Sequence, residues 1–140
     1  MKSLKASLWF IILMGITFLF LCIFGLVYTP GAQIGEVSNA NKIASVIYLI
    51  GWIVISILSG FKNYKAIAVG SIIYSALPLI SLLLYLTGIP YITPFIMVVF
   101  VQAAPFQGVS FYLIFVQLPI FILGYILGYI FRIIWKKKCN

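Results

Sequence analysis

Residues 89–108 read IPYITPFIMVVFVQAAPFQG, and the fold turns on whether they cross a bilayer. The stretch is apolar, but Pro90, Pro94 and Pro105 interrupt it, leaving 95–104 as the piece without a helix breaker. That piece makes about 15 Å of helix, half of a hydrocarbon core. It lies inside a longer run, 66–131, in which no side chain is charged; Lys65 precedes the run and Arg132 follows it. At about 20 residues per crossing the run is long enough for three helices. The cations at both its ends argue instead for an even number. If 89–108 does not cross, the chain has four spans. Lys2, Lys5, Lys62, Lys65, Arg132, Lys136, Lys137 and Lys138 then share one side, and only Lys42 lies opposite. If it does cross, there are five spans, and the cations divide almost evenly between the two sides. Positive residues in short loops concentrate on the cytoplasmic side, which favours four spans. The prolines agree, because backbone at membrane depth that is not regular helix must be covered by protein or line water.

The fold class expected is therefore all-α: a polytopic integral membrane protein with four transmembrane helices and a short re-entrant or interfacial outer segment. The spans fall at about 7–29, 43–60, 66–88 and 109–131. Residues 89–108 form the non-spanning segment and 132–140 a basic cytoplasmic tail, so 1–140 is one membrane domain. Both termini are expected in the cytoplasm, the membrane is the cell membrane, and few charges with short loops suggest a bacterial chain.

Composition supports this reading. Of 140 residues, 65% are hydrophobic and the mean hydropathy is +1.26, against about 45–50% apolar in soluble domains. The net charge of +8 sets nine Lys/Arg against one acid, Glu36. Such a balance also occurs in nucleic-acid binders. Here the cations stand at the ends of apolar runs, so topology and anionic lipid headgroups explain them and nucleic acid does not. The basic amino terminus resembles a signal peptide, but 6–28 exceeds an apolar core of about 7–15 residues and no A-x-A site follows. It reads as a retained first helix. Cys22 lies within a span and Cys139 in the tail, so no intrachain disulfide is expected.

Local signals place the connections. Thr29-Pro30-Gly31 ends the first span, and Asn39 or Asn41 is a candidate cap for the second helix. Gly60 is positioned to end that helix before a tight turn at 60–65. Gly88-Ile89-Pro90 ends the third. Trp9, Tyr64, Tyr129 and Trp135 fall at the inner boundary, and Tyr28, Tyr85, Tyr91 and Tyr112 at the outer, levels that amphipathic rings favour.

Candidate chemistry is sparse. With no Asp, no His and one Glu in a loop, there is no carboxylate pair and no metal cluster. Only a Ser–Lys pair survives, Lys42 with Ser45 at i, i+3, and a solvated lysine beside an ordinary serine explains it as well. No catalytic residue, metal or cofactor is expected. The spans contain no ionisable acid or base of the kind that marks a proton path. A polar site is best sought near the midplane. Pro78 and Pro119 lie halfway along the third and fourth spans, and each frees a carbonyl four residues earlier, at Tyr74 and Phe115. Ser75 is close to Pro78, Gln117 is close to Pro119, and Gln102 and Gln107 belong to a segment able to dip toward them. Ser75, Pro78, Gln102, Gln117 and Pro119 are the candidate site. The plainer alternative is that the prolines only kink helices and the glutamines bond between them. Trp52, mid-span, needs a partner for its indole N–H.

Gly124-Tyr-Ile-Leu-Gly128 is a GxxxG pattern. It is either a homodimer face or, preferably, the face that packs the last helix on its own neighbours. Ala66/Gly70, Ser71/Ser75 and Ser56/Gly60 repeat the small-residue spacing. In the tail, Arg132, Lys136, Lys137 and Lys138 are expected to contact anionic lipid, with a stop-transfer anchor as the sufficient explanation. A dilysine-type retrieval signal and palmitoylation of Cys139 are minor alternatives. Glu36 reads as a solvated loop carboxylate. No motif carries a family assignment. The function expected is a non-enzymatic accessory, immunity-type or assembly component, acting beside a larger membrane partner or as a homo-oligomer. The alternative is a minimal transporter or channel subunit with a polar path near Pro78, Pro119 and Gln117.

Overall fold

The computed structural model describes residues 2–24, 39–88, 93–107, 109–110 and 112–139. These are helical apart from short turns and bends. The elements are α1 (Lys2–Phe24), α2 (Asn39–Lys62), α3 (Lys65–Leu86), α4 (Thr93–Ala103), a 3₁₀ turn (Ala104–Phe106) and α5 (Leu113–Cys139). Four helical stretches are long and apolar enough to cross a membrane: Leu4–Ile23, Asn39–Lys62, Lys65–Leu86 and Leu113–Lys138. α4 is too short, at 11 residues.

The packing is two parallel pairs. α1 lies along α3, with Ala6 and Trp9 against Gly70 and Phe10 against Tyr74. The pairs of contacts ascend together, so both helices run the same way. α2 lies along α5 in the same sense: Ser56 meets Gly124, and Phe61 meets Gly128. The tight turn after Lys62 reverses the chain between α2 and α3. α1 and α3 therefore point one way, and α2 and α5 the other. The end of α3 and the start of α5 lie at the same end of the bundle, so the segment between them enters and leaves there. α3 is central, touching α1, α2, α4 and α5. α4 and the 3₁₀ turn pack against α1, α2 and α3, and so fill the space between α1 and α2.

Small residues allow this closeness. A Cβ at Gly124 would overlap the Ser56 side chain, one at Gly128 the Ile57 carbonyl, and one at Gly60 the Tyr125 carbonyl. The GxxxG face is thus filled by α2 of the same chain. Serine and threonine share these faces because their hydroxyls turn back on their own helices. Ser56, Ser59, Ser75 and Ser81 donate to the carbonyls of Ile53, Ile55, Ser71 and Leu77 at 2.6–2.8 Å.

Several expected boundaries shift. α1 begins at Lys2 rather than at residue 7, and 25–29 lie outside the described residues. α2 runs through both Gly60 and Asn41, so neither ends nor caps it. Asn41 is buried within its first turn. The helix stops at Asn63, which takes the left-handed conformation (φ 56°). The Asn63 N–H donates to the Gly60 carbonyl and the Tyr64 N–H to the Ser59 carbonyl, 3.2 and 2.9 Å. That is a Schellman closure with Asn in place of Gly. Gly60 serves the seam with α5 instead. The fourth long helix starts at Leu113, not 109, and continues through the basic tail to Cys139. Nothing breaks the helix after Arg132, so 132–139 is its last two turns. The expected segment 89–108 overlaps α4 and the 3₁₀ turn; 89–92 and 108 lie outside the described residues, as do Tyr28, Tyr91 and Glu36.

Candidate functional site

Pro78 sits mid-helix in α3 and is buried. Having no N–H, it leaves the Tyr74 carbonyl without its normal helical partner. The Gln102 side chain supplies one: its Nε2 donates to the Tyr74 oxygen at 3.0 Å. The same nitrogen lies 3.8 Å from the Met14 sulfur. Gln102 is the next-to-last residue of α4 and is fully buried. Tyr74 lies about 14 Å along α3 from Lys65. The folded-back segment therefore reaches the middle of the bundle, and a helix-interior proline marks where it docks. Gln107 does not follow; its Nε2 donates to the Ala104 carbonyl of its own turn at 3.0 Å.

Gln117, on the second turn of α5, is also fully buried. Its backbone carbonyl accepts the Trp52 indole N–H at 3.2 Å, which provides the partner that Trp52 requires. The Trp52 ring packs on Tyr74 and Phe121, with ring centres 5.8 and 5.4 Å apart. Tyr48, one turn before Trp52, stands edge-on to Phe106 of the 3₁₀ turn at 5.4 Å. The Tyr48 and Tyr74 phenols are close enough to interact, and Thr17 of α1 lies beside Tyr74. Ser75 is buried too, its hydroxyl held by the Ser71 carbonyl.

Side chains from all four long helices and from α4 thus meet at mid-height, and much of their polarity is unspent. The Gln102 Oε1 and both amide atoms of Gln117 are buried without a partner in hydrogen-bonding geometry, and the Tyr48 and Tyr74 hydroxyls have only each other and Thr17 nearby. Each such group costs about 1–3 kcal/mol. The group holds no charge, no nucleophile paired with a base and no metal-ligating set. What it can do is hydrogen-bond: two phenols, a carbonyl oxygen and a complete amide suit water or a small neutral polar molecule.

Of the five expected site residues, Ser75, Pro78, Gln102 and Gln117 are buried in this interior. Pro119 is not; it is exposed on the outer face of α5, two residues beyond Gln117 and so turned away from it on a helix. Lys42 is exposed whereas Ser45 is buried, so the one Ser–Lys pair is divided between surface and interior. Lys136, Lys137 and Lys138 are exposed on the last turn of α5, and Arg132 is half-buried. Tyr48 and Thr17 were not singled out by the sequence. No sequence signal marked Tyr48: it stands about 8 Å into the expected span 43–60, near the level that interfacial tyrosines favour.

No family model matches this chain, and the comparisons found no match among curated proteins or solved structures.

Proposed function

We propose that the chain is a non-enzymatic multi-pass protein of the cell membrane that serves as an accessory or assembly component beside a membrane partner. Both termini would lie in the cytoplasm, since Lys5, Lys62, Lys65 and Arg132 gather at the end of the bundle where α1 begins and α5 finishes. The observation that carries this reading is the division of the surface. The midplane is filled by Trp52, Tyr74, Phe106 and Phe121, all buried, whereas Gly15 and Gly51 face outward with nothing within 4 Å of an added Cβ. Outward glycines on apolar helices let another helix approach closely. The internal GxxxG face is already occupied, so the sites free for association lie on α1 and α2. The test is capture of the tagged chain from membranes in mild detergent, followed by mass measurement of the intact complex. A stoichiometric membrane partner or a homo-oligomer, lost on Gly51→Leu, is expected. A lone monomer from membranes that contain every native protein would contradict the proposal.

A second reading has a specific observation behind it. The unpartnered atoms of Gln102 and Gln117, beside the Tyr48 and Tyr74 phenols, favour a minimal transporter or channel subunit that passes a neutral polar solute. Pro119 is exposed and does not line such a path; Tyr48 and Tyr74 lie beside Gln117 and Gln102 instead. Gln117→Leu separates the readings. It removes two unpartnered polar atoms, so stability should hold or rise by about 1 kcal/mol. A transport role requires that the more stable variant lose function, and an accessory role requires that it keep it.

A further inference from the structure

We propose that the furrow between α1 and the turn into α3 holds one anionic glycerophospholipid. The proposal rests on the reading that the four long helices cross a bilayer. The furrow has a volume of about 520 Å³. Lys5, Lys65 and Asn63 line it together with the apolar Leu8, Ile12 and Ile67. Lys5 and Ile12 are two turns apart on α1, about 10 Å along the axis. That spacing carries a ligand from a charged group into apolar surroundings, as the passage from headgroup phosphate to acyl chain does.

The charge balance selects the ligand. Two exposed lysines line one furrow, and their like charges favour an anion between them. No Asp or Glu occurs among the described residues; the chain's one acidic side chain, Glu36, lies outside them. An anion from outside the chain supplies the counter-charge that no described side chain does. In a bilayer the anion at this depth is a headgroup phosphate, and the Asn63 amide adds a donor. A second furrow of about 370 Å³ flanks the other side of the same helix pair, lined by Ala6, Ser7, Phe10, Ile11, Val69 and Ile73 with no cation. Without a cation it does not select an anionic headgroup, so that selection belongs to the first.

The test is native mass spectrometry of the full chain released from micelles containing phosphatidylglycerol or phosphatidylcholine. The wild type should retain one phosphatidylglycerol in preference to phosphatidylcholine, and millimolar inorganic phosphate should not displace it. K5Q/K65Q should weaken retention about thirtyfold, at roughly fivefold per cation, while K136Q/K137Q/K138Q should keep it. Both furrow lysines are exposed, so their replacement spares the fold. Ile12→Trp, which fills the apolar half and keeps both lysines, should also release the lipid. Undiminished binding in K5Q/K65Q, loss in the tail variant alone, equal retention of both lipids, displacement by phosphate, or a second copy of the chain in place of lipid would each overturn the proposal. Alkaline extraction separates this from the underlying reading. A chain released into the aqueous phase contradicts membrane insertion; a chain that stays in membranes yet binds no phosphatidylglycerol contradicts the furrow alone.

Discussion

One side chain of the irregular segment, Gln102, hydrogen-bonds into the regular helices. Its amide bonds the Tyr74 carbonyl, which is open because Pro78 has no N–H to offer. The two residues should therefore be coupled. Gln102→Leu is expected to lower stability by about 1 kcal/mol, the range of a side-chain hydrogen bond between membrane helices. Pro78→Ala restores an N–H to the same carbonyl, so Gln102→Leu should cost less in that background. Unfolding in mixed micelles, run as a double-mutant cycle, measures the difference. Strict additivity would mean that the bond does not anchor the segment. Pro78 was legible in the sequence as the source of a freed carbonyl. Its partner was legible only as one of several glutamines, because periodicity does not say which residue of a short, broken segment points inward. Tyr74 was marked by its carbonyl and overlooked for its phenol. At Pro119 the same reasoning failed, because a proline frees a carbonyl without fixing the face on which its ring lies, and here the ring is exposed.

At the scale of elements, the seam between α2 and α5 is the strongest packing in the molecule, and glycines make it. Gly60, Gly124 and Gly128 each meet backbone or side-chain atoms of the opposite helix. Gly128→Leu should cost more than the 1–3 kcal/mol of ordinary overpacking, since it is backbone that must move. Gly15→Leu and Gly51→Leu should leave the stability of the isolated chain nearly unchanged, because both positions open outward. Thermal unfolding in detergent distinguishes the three. Equal losses at Gly128 and Gly15 would mean that the seam is not what holds the helices. The GxxxG spacing was readable from sequence, and its intramolecular use was the preferred choice. Gly60 reads as a helix end because glycine serves both helix ends and close contacts, and local sequence alone does not separate the two. Asn63, which takes the left-handed position, was the competing signal.

For the whole molecule, the two parallel pairs set the parity. With α1 parallel to α3 and α2 parallel to α5, the four long helices alternate in direction, and the segment around α4 returns to the end of the bundle it came from. The cations reach the same answer independently. Lys5 and Lys65 line one furrow, while Lys42 stands near the start of α2 at the opposite end. α5 overshoots the turn at Asn63 by about two helical turns, which carries Lys136–138 clear of the bundle. That overshoot was hidden in the sequence, because charge marked where an apolar span ends and not where its helix does. The number of long helices was legible because each apolar run is bounded by cations or by Pro-Gly turns. The placement of 89–108 was not, because re-entrant and interfacial segments share one composition; Gln102 and Phe106, packed against Tyr74 and Tyr48, show that its described part enters the bundle. The most direct test uses thiols in a Cys22→Ser background. An impermeant maleimide should leave Cys139 unlabelled in intact cells and label it after lysis, while Lys42→Cys should be labelled in intact cells. Labelling of Cys139 in intact cells would contradict the four-crossing placement.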